Sequence, residues 1–282
     1  MIYFTLPDAA VRYDINNFMF QLNKMHPNFF KTKVSFYATK CIFPYLSWTG
    51  GVVSNTGNGM YFNDIIQFQE TQVLPMHLNM SNVLLEDFDY DDCFGQTILT
   101  NCNNGSNVIE ISSIPFMEKI AKDYPHYRFN LSAQADLITE FTPELLNCIT
   151  DENKFLYIGL PAKFNYNKEF LSQLKSKKTY EITVNPPCLC DCADVCTLKL
   201  HQNQIDYVRH SHVNSCSKIN RNTMISIEEI KKDFLPMGFN HFTFSSNVQV
   251  SNDDTFYFYL QYFIAEEFHS TVEQYWRQRR IV

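Results

Sequence analysis

The sequence lacks any run of apolar residues approaching the roughly 18 that a membrane-spanning helix needs. Its first residues, MIYFTLPDAAVRYD, also lack a basic segment followed by a long apolar stretch, so no signal peptide is recognisable. These absences predict a cytoplasmic protein without a membrane partner. Disulfides are rare in that reducing compartment, so its cysteines are expected to be free thiols or metal ligands.

Positive charge is scarce as well. Lys and Arg together number 23 against 30 Asp and Glu, which gives a formal net charge of −7. Such a chain offers no general attraction for phosphate backbones, and we predict no DNA partner. An RNA partner remains an alternative, because two stretches of the sequence are basic: residues 163–178 and the C-terminal arginines. The sequence does not indicate whether the protein is a monomer or an oligomer.

Motifs of several enzyme classes are missing. There is no G-x-S-x-G turn, no H-E-x-x-H helix and no Gly-rich phosphate loop. We also find no pair of carboxylates at strand ends, which glycosidase chemistry would need. The residues at the predicted strand ends form hydrogen bonds rather than transfer protons: Asn79, Asn82, Ser112, Ser113, Ser132, Gln134, Asn185, Ser245 and Asn247.

The sequence does contain eight short runs of apolar, β-branched and aromatic residues bounded by turn residues. They lie at 1–7, 34–39, 71–79, 107–112, 127–133, 155–161, 180–185 and 241–246. Helical patterns occupy most of the gaps: DAAVRYDINNFMFQLNKM, SIPFMEKIAKDY, KEFLSQLKSK and SIEEIKKDFL. This alternation predicts an α/β fold, a (β/α)8 TIM-type barrel formed as a single domain over 1–282. A long helix is predicted from Asp253 to Arg280.

A cysteine-rich segment follows the seventh predicted strand. It reads CLCDCADVC from Cys188 to Cys196, with Cys216 further along, and we predict that 186–222 is a loop inserted at the barrel mouth. A [4Fe-4S] cluster needs four thiolates and tolerates irregular spacing. Zinc remains an alternative ligand, although the spacing of the cysteines fits the paired hooks of a zinc site poorly. Free thiols without a ligand are the other alternative. Among the nearby histidines, His201 is a better candidate ligand or general base than His210 or His212.

Several segments, in their order along the chain, resemble a divergent, uncharacterised microbial branch of the U32 (collagenase-like) peptidase family. They are SWTGG, CNNGSNVIEISSIPFMEKIAKDYPHYRFNLSA, YEITVNPPCLCDC followed by LKLHQ, and LPMGFNHFTFSSN. The resemblance implies a barrel with a [4Fe-4S] cluster at its mouth, with Cys188 and Cys192 as the matched cysteines and Cys216 as a later ligand. Cys196, which has no counterpart in the family pattern, is assigned as the fourth ligand from its place in the cysteine-rich segment, with Cys190 as a substitute. The resemblance also matches Asn185 and His201 to positions of the family pattern. These two residues and Asn79, at the end of the third predicted strand, are the catalytic candidates.

Relatives in this family are implied to hydroxylate RNA bases or quinone precursors, so the expected partner is an RNA or a small molecule. Peptidase activity is less favoured, because no motif for it is present. The chain departs from the family where charged residues are expected, with neutral Val52, Thr243, Ser245 and Asn247 instead. Loss of those charges leaves a non-catalytic barrel carrying zinc or free thiols as the alternative to an enzyme.

Overall fold

The computed structural model describes residues 1–9, 12–43, 46–50, 74–186, 224–245 and 251–278. Within them, eight parallel strands form a closed barrel in which each strand pairs with the next and β8 pairs with β1. The predicted (β/α)8 fold is therefore confirmed. The strands are β1 (Ile2–Leu6), β2 (Val34–Cys41), β3 (Met76–Met80), β4 (Val108–Ile111), β5 (Arg128–Leu131), β6 (Ile158–Leu160), β7 (Tyr180–Thr183) and β8 (His241–Thr243).

Helices surround the strands. All four predicted helical patterns are helical in the structure, and two further helices, Cys93–Asn101 and Pro143–Asp151, were not predicted. The helices are α1 (Tyr13–Met25), α2 (Cys93–Asn101), α3 (Ile114–Asp123), α4 (Pro143–Asp151), α5 (Lys168–Gln173), α6 (Ile227–Glu229), α7 (Leu235–Met237), α8 (Asn252–Phe263) and α9 (His269–Gln278). A π-helical turn, Ile230–Phe234, joins α6 to α7. Among the residues described, no helix combines the length and apolar character needed to cross a membrane.

Side-chain caps fix where several helices begin. Ser113 accepts a hydrogen bond from the backbone of Phe116 at the start of α3, and Thr142 does the same for Leu145 at α4. Ser226 and Ser251 form reciprocal capping boxes with acidic residues at the third helical position. These contacts satisfy backbone N–H groups that have no partner within a helix, so the polar residues before each apolar pattern set its first turn.

The apolar core lies between the strands and the helices. Phe4 on β1 contacts Phe244, after β8, with ring centroids 5.5 Å apart, and meets Phe263 of α8 edge-on at 5.0 Å. Both Phe4 and Phe244 are almost fully buried. Because side chains alternate along a strand, the residues flanking Phe4 point the other way, into the barrel.

The predicted C-terminal helical segment is helical in two parts, α8 and α9. Ile264, which follows α8, has an extended backbone and bridges to Phe30 in an antiparallel pair. The backbone N–H groups of Lys31 and Ala265 complete this contact by donating to Phe263 and Phe29, at 2.8 and 2.9 Å. Tertiary pairing thus interrupts a pattern whose helical periodicity continues.

Candidate functional site

The barrel interior is polar and charged at its centre. Alternate residues of the strands point inward, and these include Lys40 on β2, His77 on β3, Glu110 on β4 and Glu181 on β7. We call these four residues the lumen cluster. Barrels of this type are usually filled by branched apolar side chains, so four ionisable groups from four strands mark a candidate site.

Lys40 joins the two carboxylates. Its Nζ lies 2.9 Å from Glu110 Oε2 and 3.5 Å from Glu181 Oε2. Burial by itself would lower the pKa of Lys40, but Glu110 and Glu181 outweigh it and raise this pKa above its ordinary value. The ammonium is therefore charged throughout the neutral range.

Glu181 is held in its ionised form by three neighbours. The hydroxyls of Thr5 and Tyr37 lie 2.5 and 2.9 Å from its Oε1, while Lys40 is paired with its Oε2. Burial would raise the pKa of Glu181, but Lys40 and the two hydroxyls together lower it below its usual value. The same carboxylate, together with burial, raises the pKa of Tyr37, so this phenol stays protonated and able to donate.

His77 is neutral, and its tautomer follows from its neighbour. Asn130 Oδ1 accepts from the backbone N–H of Tyr157 at 3.2 Å, which turns the amide nitrogen towards His77 Nδ1, 3.3 Å away. An amide N–H can only donate, so Nδ1 accepts and the ring proton resides on Nε2. Burial lowers the pKa of His77, and the attraction of Glu181 and Glu110 does not restore it.

Four rings line the barrel on the amino-terminal side of the lumen cluster. His241 stacks on Tyr3 with centroids 4.8 Å apart, contacts Tyr157 at 4.5 Å and meets Tyr37 edge-on at 5.3 Å. Burial lowers the pKa of His241 to about 4, so its ring is neutral as well. Because this aromatic layer occupies the amino-terminal side of the barrel, the carboxyl ends of the strands are the natural approach to the cluster.

Asn79, a predicted catalytic candidate, is buried at the end of β3 and holds the neighbouring loop. Its Oδ1 accepts from Ser81 Oγ at 2.9 Å and lies within reach of the backbone N–H groups of Ser81 and Gly50. Asn82 also holds this loop, because its Nδ2 donates to the carbonyl of Ser47 at 2.6 Å. These contacts give both asparagines a role in positioning the mouth.

Asn185, the second candidate, joins the ends of β7 and β8. Its Oδ1 accepts from the backbone N–H of Ser245 at 2.6 Å. Of the remaining strand-end residues, Ser132 donates to Glu110 Oε1 at 3.1 Å and so connects the mouth to the lumen cluster. Thr243 is buried within the barrel wall and donates to a backbone carbonyl.

The predicted cluster ligands Cys188, Cys190, Cys192, Cys196 and Cys216 lie outside the described residues, as do His201, Val52 and Asn247. The residues on either side of that segment are described. The N–H of Ile225 donates to the carbonyl of Val184 at 2.7 Å, and Tyr262 Oη donates to Ile225 at 2.8 Å. The chain therefore leaves and rejoins the barrel at one place, the carboxyl end of β7.

Within the described part of the chain, no group of three or more His, Cys, Asp or Glu residues could hold a metal ion. The four cysteines described there, Cys41, Cys93, Cys102 and Cys148, are free. Burial raises the pKa of Cys41 and, to about 12, that of Cys102, which keeps both as unreactive thiols.

The lumen cluster was not predicted, because its residues lie within the strands and not at the strand ends, where barrels of this type usually place their active sites. Glu110 and Glu181 flank Lys40 inside the barrel, away from the strand ends. A signal was available: each lies in an otherwise apolar strand, as in VIEI and YEIT. Charged residues are rarely buried without a partner, so such positions predict an internal ion pair.

Comparisons with known proteins agree with this geometry at the level of the fold. Neither the family models nor the curated proteins contain a match to this chain. The solved structure of the U32 peptidase Mk0906 matches with a TM-score of 0.56, over 88% of this chain and 94% of that one, at 10% sequence identity. The resemblance predicted from short motifs is therefore confirmed in the architecture, and this chain has a U32 peptidase-like fold.

Proposed function

We propose that this protein is a U32-like enzyme that binds a [4Fe-4S] cluster and modifies an RNA base or a small aromatic metabolite. The observation that carries the proposal is the hydrogen bond between Val184 and Ile225. It anchors both ends of the cysteine-rich segment at the carboxyl end of β7, the face on which barrels of this type build their active sites. The lumen cluster lies directly inside the same barrel.

The donor set suits an iron–sulfur cluster. Five cysteines fall within 188–216, and a [4Fe-4S] cluster takes four thiolates. We assign Cys188, Cys192, Cys196 and Cys216 as ligands, with Cys190 as the substitute. When bound, such a cluster supplies one-electron transfer or an iron site that polarises a ligand. Hydroxylation of a ring is a two-electron oxidation, so it would further need either water together with a two-electron acceptor, or dioxygen together with a two-electron donor, as co-substrates.

The described residues contribute a fixed, charged cluster inside the barrel. Lys40, Glu110 and Glu181 stay in place because each is paired and two hydroxyls fix Glu181. Asn79 and Asn185 act as positioning residues, because their side-chain oxygens are engaged by neighbouring backbone. The general acid–base role is left to His201.

A non-catalytic barrel with zinc or free thiols is the second candidate. Thr243 and Ser245 favour it, since both are neutral where the family pattern is charged. The lumen cluster weighs against it, because buried charges are costly and are commonly retained at functional sites. Peptidase activity has no supporting motif beyond the fold.

Metal analysis under anaerobic conditions tests the proposal. Wild-type protein reconstituted with iron and sulfide is expected to contain about four iron atoms per chain and to be coloured. Cys188→Ser with Cys192→Ser should lose both iron and colour. The matched control, Cys93→Ser with Cys148→Ser, replaces two exposed free thiols and should keep both. Colourless wild-type protein after reconstitution would refute the cluster, and stoichiometric zinc would support the second candidate.

A further inference from the structure

A pocket lies between the two segments that lead into β7 and β8. Its volume is about 510 Å³, and it is lined by Leu174, residues 176–179 and Gly238. Both segments precede strands, so the pocket lies at the amino-terminal face of the barrel, opposite the mouth. A pocket of this volume can hold a small organic molecule. We call it the amino-terminal pocket.

The amino-terminal face is positively charged, although the chain as a whole carries a formal net charge of −7. Among the described residues, the segments that connect a helix to the following strand contain six lysines and one acid. These are Lys31, Lys33, Lys154, Lys175, Lys177 and Lys178, with Glu152 as the acid. Glu152 is itself paired with Lys154 at 3.0 Å. This face therefore attracts anions against the charge of the whole molecule.

Two of these lysines line the pocket itself. Lys177 Nζ donates to the carbonyl of Ser172 at 3.1 Å, which holds the ammonium beside the end of α5 and leaves it two further N–H groups. Lys178 is exposed and forms no ion pair among the described residues. Asp151 ends the neighbouring helix α4, and Lys175 offsets its formal charge. The two lysines at the pocket thus remain as an excess of positive charge.

Hydroxyl groups complete the set of donors. Ser176 and Thr179 flank the two lysines, and neither hydroxyl has a hydrogen-bond partner among the described residues. Ser176 has a φ of 45°, in the left-handed region that glycine adopts at lower cost. A serine held in this conformation at the wall of a pocket points to a role for its hydroxyl. On the opposite wall, a Cβ added to Gly238 would lie 3.5 Å from Lys177 Cβ, so the two segments approach closely.

We infer that the amino-terminal pocket binds the phosphate group of a small organic phosphate monoester. Such a group carries about 1.5 to 2 negative charges at neutral pH, which matches two lysines, and its oxygens accept from the hydroxyls of Ser176 and Thr179. An RNA strand fits less well, because each of its phosphates carries one charge and the strand needs a groove that follows its backbone. The site lies opposite the mouth and is independent of the proposed iron–sulfur chemistry.

Calorimetric titration with three ligands tests the inference. Ribose 5-phosphate carries a phosphate monoester, ribose lacks it, and an oligouridylate without terminal phosphates offers only diesters. Ribose 5-phosphate should bind best, and ribose should not bind detectably. The inference is overturned if ribose 5-phosphate does not bind at millimolar concentration. Tighter binding of the oligouridylate would also overturn it, because the face would then be a surface for RNA.

Variants then locate the binding. The double variant K177M/K178M should weaken the binding of ribose 5-phosphate by about fivefold or more. The matched control K231M/K232M removes the same charge from an exposed pair of lysines and should bind as the wild type does. Thr179→Val keeps every charge and should still weaken binding. Equal losses in the two double variants, with no loss in Thr179→Val, would show a general effect of charge and contradict the assigned site.

The titration is repeated on the Cys188→Ser, Cys192→Ser protein. Because the amino-terminal pocket lies opposite the mouth, ribose 5-phosphate should bind this protein as tightly as it binds the wild type. Binding that disappears with the cysteines would place the ligand elsewhere and overturn the inference. A failed metal analysis would leave the phosphate site standing, so the two proposals fail separately.

Discussion

Asp8, the second residue after β1, has an unfavourable backbone conformation and a carboxyl group whose ionisation is unfavourable because it is buried. Its φ of 52° lies in the left-handed region, and the residue is only 2% exposed. Neither carboxyl oxygen has a hydrogen-bond partner within the described structure. Burial raises the pKa of Asp8 from 3.8 to about 7, although Arg12 acts in the opposite direction. This carboxyl is more acidic in the unfolded chain than in the folded protein.

The pH dependence of stability follows from that difference. A carboxyl whose pKa is higher in the folded state keeps its proton on folding, so the free energy of unfolding falls as pH rises from about 4 through 7. Asp8→Asn removes the ionisable group and suits a left-handed φ. We expect it to stabilise the protein at pH 8 by on the order of 2–4 kcal/mol, and far less at pH 4.

Urea unfolding of both proteins at pH 4, 6 and 8 measures this effect. The control Asp14→Asn changes an exposed aspartate on α1 and should leave the fall in stability with pH in place. Equal curves for wild type and Asp8→Asn across the range would contradict the assigned burial.

The lumen cluster shows what sequence can and cannot predict for a single residue. Alternation along β4 and β7 would have assigned Glu110 and Glu181 to the barrel interior, because their apolar neighbours face the helices. The partner was not predictable in the same way. Lys40 meets both carboxylates only because strand tilt and stagger bring β2, β4 and β7 to one level, which no local pattern encodes.

At the scale of elements, α2 packs against the loop after β2 through one close contact. A Cβ added to Gly95 would lie 2.4 Å from ring atoms of Trp48, whose Nε1 donates to the carbonyl of Asp89 at 2.6 Å. Trp48 is fully buried. The backbone of Gly95 has an ordinary helical conformation, which any residue could adopt. Glycine is therefore required at this position by the packing of Trp48 and not by the backbone.

Gly95→Ala should for that reason reverse the usual sign of a helical substitution. In an open helix the change stabilises by about 1 kcal/mol, whereas here overpacking against Trp48 should destabilise by about 1–3 kcal/mol. Thermal and urea unfolding measure the difference, with Thr97→Ala on the exposed face of α2 as the control. A stabilised Gly95→Ala protein would show that Trp48 does not pack there.

Helices were predicted where the apolar period was strong, as in α1 and α3, and in α3 the capping residue Ser113 precedes that pattern. α2 was not predicted, because Gly95 and two threonines weaken its apolar helical pattern. The helix packs on Trp48, and that contact cannot be predicted from the local sequence of α2. The interruption between α8 and α9 was hidden for a related reason. Ile264 and Phe30 pair across more than two hundred residues of sequence.

For the whole molecule, the barrel was predictable because each strand run is short, apolar and separated from the next by a crossover. An error of one or two residues in the predicted end of a strand does not change the order in which the eight strands pair around the closed barrel. The function was harder to predict from the sequence, because the residues of the lumen cluster and the cysteines lie far apart along the chain. The hydrogen bond between Val184 and Ile225 connects the two, since it brings both ends of the cysteine-rich segment to the barrel.

That connection predicts that the barrel folds without the segment. With Val184 and Ile225 already adjacent, replacing residues 188–222 by a short Gly/Ser linker closes a small loop and should leave the melting temperature within about 5 °C of the wild type. Iron binding should be lost completely. A structural zinc site would behave differently, because removing it costs folding energy outright. As a control, truncation after Phe268 removes Val272 and Trp276, both buried, and should lower the melting temperature more than the loop replacement does. If the barrel unfolds when only the cysteine-rich segment is replaced, the segment is needed for folding and this prediction is wrong.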